Sequence, residues 1–225
     1  MSDRRHWLDG WRGCACLGMA AYHLLFDLYL FGYVGETFIT SLPMQLLERA
    51  VAWSFILCAG ISSRLSGKRF RRGLMALLAG GVVTAVSYLL DTPIKFGILQ
   101  FLGVAMLLCA VTGKYLDRLP AKWAALWLGL FAISGVFFPR TGAMRGLFWL
   151  GLPREGFVSY DYFPVIPYLF LFLTGRTLCP GLEERLGSGR KLSGVLELMG
   201  RHSLLFYLLH QPVLYGLCLC LSGLV

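Results

Sequence analysis

The sequence predicts an all-α protein, a polytopic transmembrane helical bundle of about seven spans with the N-terminus inside and the C-terminus outside. Three observations predict it. Of the 225 residues, 57% are hydrophobic and only 15% are charged, against about 25% charged in ordinary soluble domains. Mean hydropathy is +0.66. Apolar runs close to the ~20 residues that cross a bilayer recur along the whole chain, and the basic residues between them are distributed unevenly.

The runs, in order, are Trp11 to Phe31, Pro43 to Ser62, Gly73 to Leu90, Phe96 to Val111, Ala121 to Phe138, Phe163 to Leu178 and Ser203 to Leu221. Short charged or Gly/Pro-bearing stretches separate them. Pro164 and Pro167 suit the start of the sixth run, since proline is preorganised for a first helical turn. The first run exceeds a signal-peptide h-region and no A-x-A-like site ends it, so it is expected to stay in the protein. So little chain lies outside the runs that residues 1–225 read as a single membrane-embedded domain.

Orientation follows from the basic residues. With the N-terminus inside, the inner segments hold Arg4, Arg5, Arg12, Arg64, Lys68, Arg69, Arg71, Arg72, Lys114, Arg118, Lys122, Arg176, Arg185, Arg190, Lys191 and Arg201. The outer side keeps Arg49, Lys95, Arg140, Arg145 and Arg154, an asymmetry of 16 to 5. The net charge of +9 is mostly this bias. It does not indicate a nucleic-acid partner, because no soluble basic module is present to carry one. The partner is the lipid bilayer.

The seven cysteines fall in or beside apolar runs, and an odd number of them makes no disulfide framework. Cys14 and Cys16, and likewise Cys218 and Cys220, point to different sides of a helix, so no metal clamp is expected; they read as small packing residues. The sequence holds no internal repeat and no G-x-x-x-x-G-K-[ST] phosphate loop.

The first run carries three charged or titratable residues. Arg12 and His23 are eleven residues apart, which at ~100° per residue returns to within about 20° of one face over a rise of roughly 16 Å. Asp27, four residues past His23, lies on that face too. Such groups cost about 2.5 to 3.5 kcal/mol at a helix centre on insertion scales, so they face a bundle interior or a wet cavity. Two readings stand side by side. His23 and Asp27 satisfy each other as structural glue, or His23 is a general base whose tautomer and charged form Asp27 supports.

At these residues a family resemblance enters. "DGWRGCACLGMAAYHLLFDL" (9–28) resembles the opening of the heparan-alpha-glucosaminide N-acetyltransferase catalytic-domain family, in its small bacterial members, within the membrane acyltransferase superfamily. "FILCAGISSRLSGKRFRRG" (55–73), "IKFGILQFLGVAMLL" (94–108), "DYFPVIPYLFLFLTG" (161–175) and "GRHSLLFYLLHQPVL" (200–214) resemble further stretches of it in the same order. The resemblance implies an integral inner-membrane acyltransferase that takes an acetyl or other acyl group from cytoplasmic acetyl-CoA or another acyl-CoA, without a metal. It gives that group to a carbohydrate or other envelope acceptor. It leaves room for a homo-oligomer.

The resemblance also places residues. Arg69 and Arg72 resemble the superfamily's cytoplasmic R-x-x-R pair, and arginine forks suit the phosphates of CoA; the alternative is that this loop only enforces topology. Arg12 is a further candidate for the CoA end. His210, inside the last run ahead of Gln211 and Pro212, is either a residue that satisfies a proline-opened carbonyl or a second catalytic group. His202 starts that run beside Arg201. Asp161, from the resembling DYFP stretch, and Gln100, where many relatives carry a histidine, are assigned to the acceptor side. In the outer connection Phe148, Trp149 and Phe157 suit an interface, while Arg145 and Arg154 read as loop residues able to meet a polar acceptor.

His23 thus reads as general base or transient acyl carrier, with Asp27 and His210 as its catalytic companions. The alternative function is a small transporter that uses the Arg12, His23 and Asp27 stripe as a polar path, although the repeats common in transporters are missing. A structural subunit would leave the aligned stripe unexplained.

Overall fold

The computed structural model describes residues 5–138, 146–187 and 194–223. Arg4, Arg140, Arg145, Arg190 and Lys191, used above for topology or the outer loop, lie outside them. Nine α-helices are formed among the described residues: α1 His6–Leu30, α2 Glu36–Ile39, α3 Leu42–Leu65, α4 Arg69–Leu89, α5 Ile98–Leu116, α6 Trp123–Phe137, α7 Val165–Leu186, α8 Gly194–Arg201 and α9 Ser203–Ser222. A single 3₁₀ turn, Phe148–Leu150, and one isolated parallel bridge between Phe96 and Tyr162 complete the described secondary structure.

Among the described residues, six helices are long and apolar enough to cross a membrane: α1, α3, α4, α5, α7 and α9. The seventh expected span is α6, apolar but only 15 residues long, a rise of about 22 Å against a hydrocarbon core of ~30 Å. Large apolar side chains such as Leu78, Val82, Val111, Ile133, Val136, Phe137 and Leu217 are exposed. Lipid, which is as apolar as they are, is the solvent those faces fit.

The chain divides into two compact units, Met1–Phe55 with Leu186–Val225, and Ile56–Arg185. In the first, α8 and α9 pack on α1. Glycine makes the α8 approach possible: a Cβ on Gly13 would collide with the Leu196 carbonyl, and one on Gly200 with the Asp9 carbonyl. His6 Nδ1 and Glu197 Oε2 meet at 2.8 Å across the same contact.

In the second unit α4 packs closely on α5, where Gly73 and Gly103 face each other and Gly80 receives Gln100. The N-terminus of α5 is capped twice. Gly97 is extended, its N–H donates to Gln100 Oε1 at 3.0 Å, and the Ile98 N–H donates to Asp161 Oδ2 at 3.1 Å. Gly60 and Gly175 let α3 and α7 touch, since a Cβ on either would strike a carbonyl of the other helix. Helix α7 leaves helical geometry at Ile166, immediately before Pro167, as the residue preceding a proline is biased to do. Cys16, Cys58, Cys109, Cys179 and Cys218 are buried, whereas Cys14 and Cys220 are exposed.

Candidate functional site

Within the first unit, Arg12, His23 and Asp27 all lie on the continuous helix α1. Arg12 Nη1 donates to Asp9 Oδ1 at 3.0 Å and to the Gly200 carbonyl at 3.4 Å, so its guanidinium is drawn to the start of α1 and the end of α8. Further along α1, His23 and Asp27 meet α9. The rings of His23 and His210 lie 4.9 Å apart, edge to face at 60°. Asp27 is fully buried and its Oδ1 accepts a 2.9 Å hydrogen bond from Gln211 Nε2.

That last contact departs from the expected pairing. An i, i+4 spacing puts Asp27 beside His23, yet the described hydrogen bond of Asp27 goes to Gln211, 184 positions away in sequence. The Gln211 amide takes one carboxylate oxygen and leaves the other, Oδ2, without a hydrogen-bond partner. The side chain from α9 that meets the His23 ring is His210.

The tautomer of His210 follows from its partner. Nδ1 lies 2.7 Å from the Tyr207 carbonyl, which can only accept, so Nδ1 carries the proton and Nε2 keeps a lone pair. His210 therefore caps Tyr207 rather than the Leu208 carbonyl opposite Pro212. Its Nε2 is buried without a hydrogen-bond partner, as are Asp27 Oδ2 and Gln211 Oε1. Phe206 stacks on the His210 ring at 6.0 Å, and the Tyr22 ring meets the adjacent His23 ring edge-on at 5.5 Å.

Within the second unit, Arg69 and Arg72 line one pocket together with Ser62, Ser63, Ser66 and Met106. Arg69 Nε donates to the Ser63 carbonyl, and its Nη2 to the Arg64 carbonyl at 3.2 Å. Beside the pocket lies a group that sequence reasoning missed. Asp117 Oδ1 meets Arg176 Nη2 at 2.6 Å and Arg64 Nε at 3.7 Å, while Oδ2 meets Arg69 Nη2 at 3.5 Å. Arg176, one of the inner cations of the sequence, is 1% exposed and hydrogen-bonded to Ser63 Oγ at 2.8 Å. The signal was available, because an arginine inside an apolar run is a site candidate by default. Asp117 gave no such signal, standing just beyond a run.

Gln100 and Asp161, expected on the acceptor side, are both engaged at the start of α5. Gln100 accepts from Gly97 and donates to the Gly80 carbonyl and to Thr84 Oγ1, so both ends of its amide are used. Asp161 caps Ile98. Around them Lys95 Nζ sits 4.8 Å over the Phe157 ring, and Phe157 packs on Phe148 and Tyr162. Burial pushes the Tyr162 hydroxyl up to about 12, and as a phenol it donates to the Phe148 carbonyl. Trp149 is partly exposed and Arg154 is exposed, in keeping with an interfacial loop.

A family model described as heparan-alpha-glucosaminide N-acetyltransferase, catalytic, matches residues 4–212. No curated protein and no solved structure matches the chain.

Proposed function

The chain belongs to the heparan-alpha-glucosaminide N-acetyltransferase catalytic family, and from that premise we propose that it moves an acetyl or other acyl group from cytoplasmic acyl-CoA to a sugar or other envelope acceptor, with His23 as general base. Family and helices together make it a multi-pass membrane protein of acetyltransferase type.

One observation carries that reading: His23 lies against His210, whose Nε2 lone pair is buried and unpartnered. Transfer forms a bond from the acceptor nitrogen or oxygen to the acyl carbon and breaks the C–S bond of the thioester. The proton leaving the acceptor must be taken up and returned to the departing thiolate. Imidazole, with an ordinary pKa of about 6.5, suits that exchange. In our account His23 takes the proton and His210 Nε2 steadies the resulting imidazolium. That is the duty a carboxylate has in hydrolase triads. Asp27 and Gln211 hold the α1 and α9 faces in register. A covalent variant, with the acyl group resting on His23, uses the same side chain.

On the donor side, Arg69 and Arg72 supply charged hydrogen-bond donors suited to the phosphates of CoA, while the Ser62 and Ser63 hydroxyls in the same pocket donate to the Cys58 and Gly60 carbonyls. Arg64 Nη1 and Arg176 Nε, buried and unpartnered, lie in the Asp117 cluster that Arg69 also joins. Arg12 is assigned to the donor end of α1. This requires the N-terminus of α1 and the residues around 66 to face the cytoplasm, as the basic asymmetry favours.

Two experiments test the reading. Purified His23→Ala in nanodiscs should bind CoA normally yet lose acetyl transfer by roughly the 10²- to 10⁴-fold typical of general-base removal. Transfer at the normal rate would move the base to His210. Reporter fusions after residue 66 should score cytoplasmic, and fusions after 150 and at the C-terminus external. A cytoplasmic C-terminus would remove α6 from the spans and reverse the crossings of both α7 and α9.

A further inference from the structure

Three guanidinium groups converge on the Asp117 carboxylate, and they differ in freedom. Arg176 is buried and tied to Ser63 Oγ and, at 3.4 Å, to the Gly113 carbonyl, so it cannot leave. Asp117 ends α5 with its side chain 32% exposed. Arg69 has a share in two places: it reaches Asp117 at 3.5 Å and also lines the pocket with Arg72. Gly113 makes room for this crowding, because a Cβ there would stand 3.0 Å from both Arg176 Nη2 and Arg69 Nη1.

Three cations against one anion leave positive charge in surplus, and two of the N–H donors, Arg64 Nη1 and Arg176 Nε, are buried without partners. Carboxylate and phosphate oxygens compete for the same guanidinium forks. A phosphate that engages Arg69 comes to lie beside Asp117, where two negative groups repel each other.

We propose that Asp117 is a counter-ligand that holds Arg69 while the donor site is empty and yields it to a donor phosphate, so that this carboxylate weakens donor binding and hastens the release of spent CoA. The proposal rests on the reading of Arg69 and Arg72 as donor residues. Arg176 keeps the displaced carboxylate at hand, ready to recapture Arg69 as CoA leaves. Asp117 touches no reacting atom; it acts through Arg69.

The test uses full-length protein in phosphatidylcholine nanodiscs, with CoA as the probe, and reads both equilibrium affinity and dissociation rate. Asp117→Asn keeps the shape and still accepts from Arg176 but removes the charge. It should tighten CoA binding about tenfold and slow dissociation by a similar factor, and adding Arg69→Gln should abolish the gain. Binding that is unchanged or weaker in Asp117→Asn, while Arg69→Ala with Arg72→Ala loses at least tenfold, overturns the counter-ligand and leaves the donor reading standing. Wild-type affinity in the double arginine variant overturns both. Should Asp117→Asn not fold, Asp117→Asn with Arg64→Gln removes one charge of each sign and keeps the cluster's net charge. Slower CoA release in that variant supports the proposal, and unchanged or faster release sinks it.

Discussion

The α1/α9 centre and the arginine cluster of α3, α4, α5 and α7 bury opposite kinds of unsatisfied atom. Between α1 and α9 the unpartnered atoms are acceptors: Asp27 Oδ2, Gln211 Oε1 and His210 Nε2. Around Asp117 they are donors, Arg64 Nη1 and Arg176 Nε. A buried polar atom without a partner costs about 1 to 3 kcal/mol, so neither set is explained by stability. The contrast sorts the chemistry by sign. Acceptors suit a group that brings a proton, and crowded guanidinium donors suit an anion.

The strongest attempt to break this contrast is His210→Ala. If His210 Nε2 steadies the charged form of His23, acetyl transfer should fall by about 10²-fold or more while CoA affinity holds. A stopped-flow or single-turnover assay showing normal transfer would reduce the α1/α9 acceptors to packing. Next comes Arg176→Met, which leaves Asp117 and Ser63 without their buried partner. Breaking such a pair typically costs about 3 to 5 kcal/mol, to be read as a lowered unfolding midpoint in detergent. A variant as stable as the wild type would mean the cluster is not held by this contact. Smallest is Gln100→Ala. As a helix cap it should cost about 1 kcal/mol of stability, with transfer per folded molecule unchanged. A selective rise in KM for the acceptor would instead restore Gln100 to the acceptor side.

Much of the first region was legible because charge inside an apolar run is conspicuous. Arg12, His23 and Asp27 stand out in α1, and the spacing of 3.6 residues per turn aligns them. What periodicity cannot supply is the partner from another helix. Gln211 claims Asp27 from 184 positions away, and His210 reaches His23 from the same helix. The second region was half legible. Its R-x-x-R pair was visible, but the sixth run ended at Leu178 in the sequence reading, whereas α7 continues to Leu186. Arg176 therefore looked like a terminal cation when it lies well inside a helix. Asp117 depended on Arg64, Arg69 and Arg176 together, a three-way convergence with no trace in local pattern. Gln100 and Asp161 were read through resemblance, and their local duty was hidden because capping depends on where a helix begins, the least certain feature of any sequence reading.

The shortness of α6 has a consequence for the membrane itself. If its 15 residues cross, the apolar slab beside them is about 8 Å too thick. Acyl tails must tilt or compress there, at a cost of fractions of a kcal/mol for each ångström of mismatch. Thin, short-chain bilayers would relieve that deformation and thick, sterol-stiffened ones would aggravate it. The lipid composition around the protein is then part of its energetics.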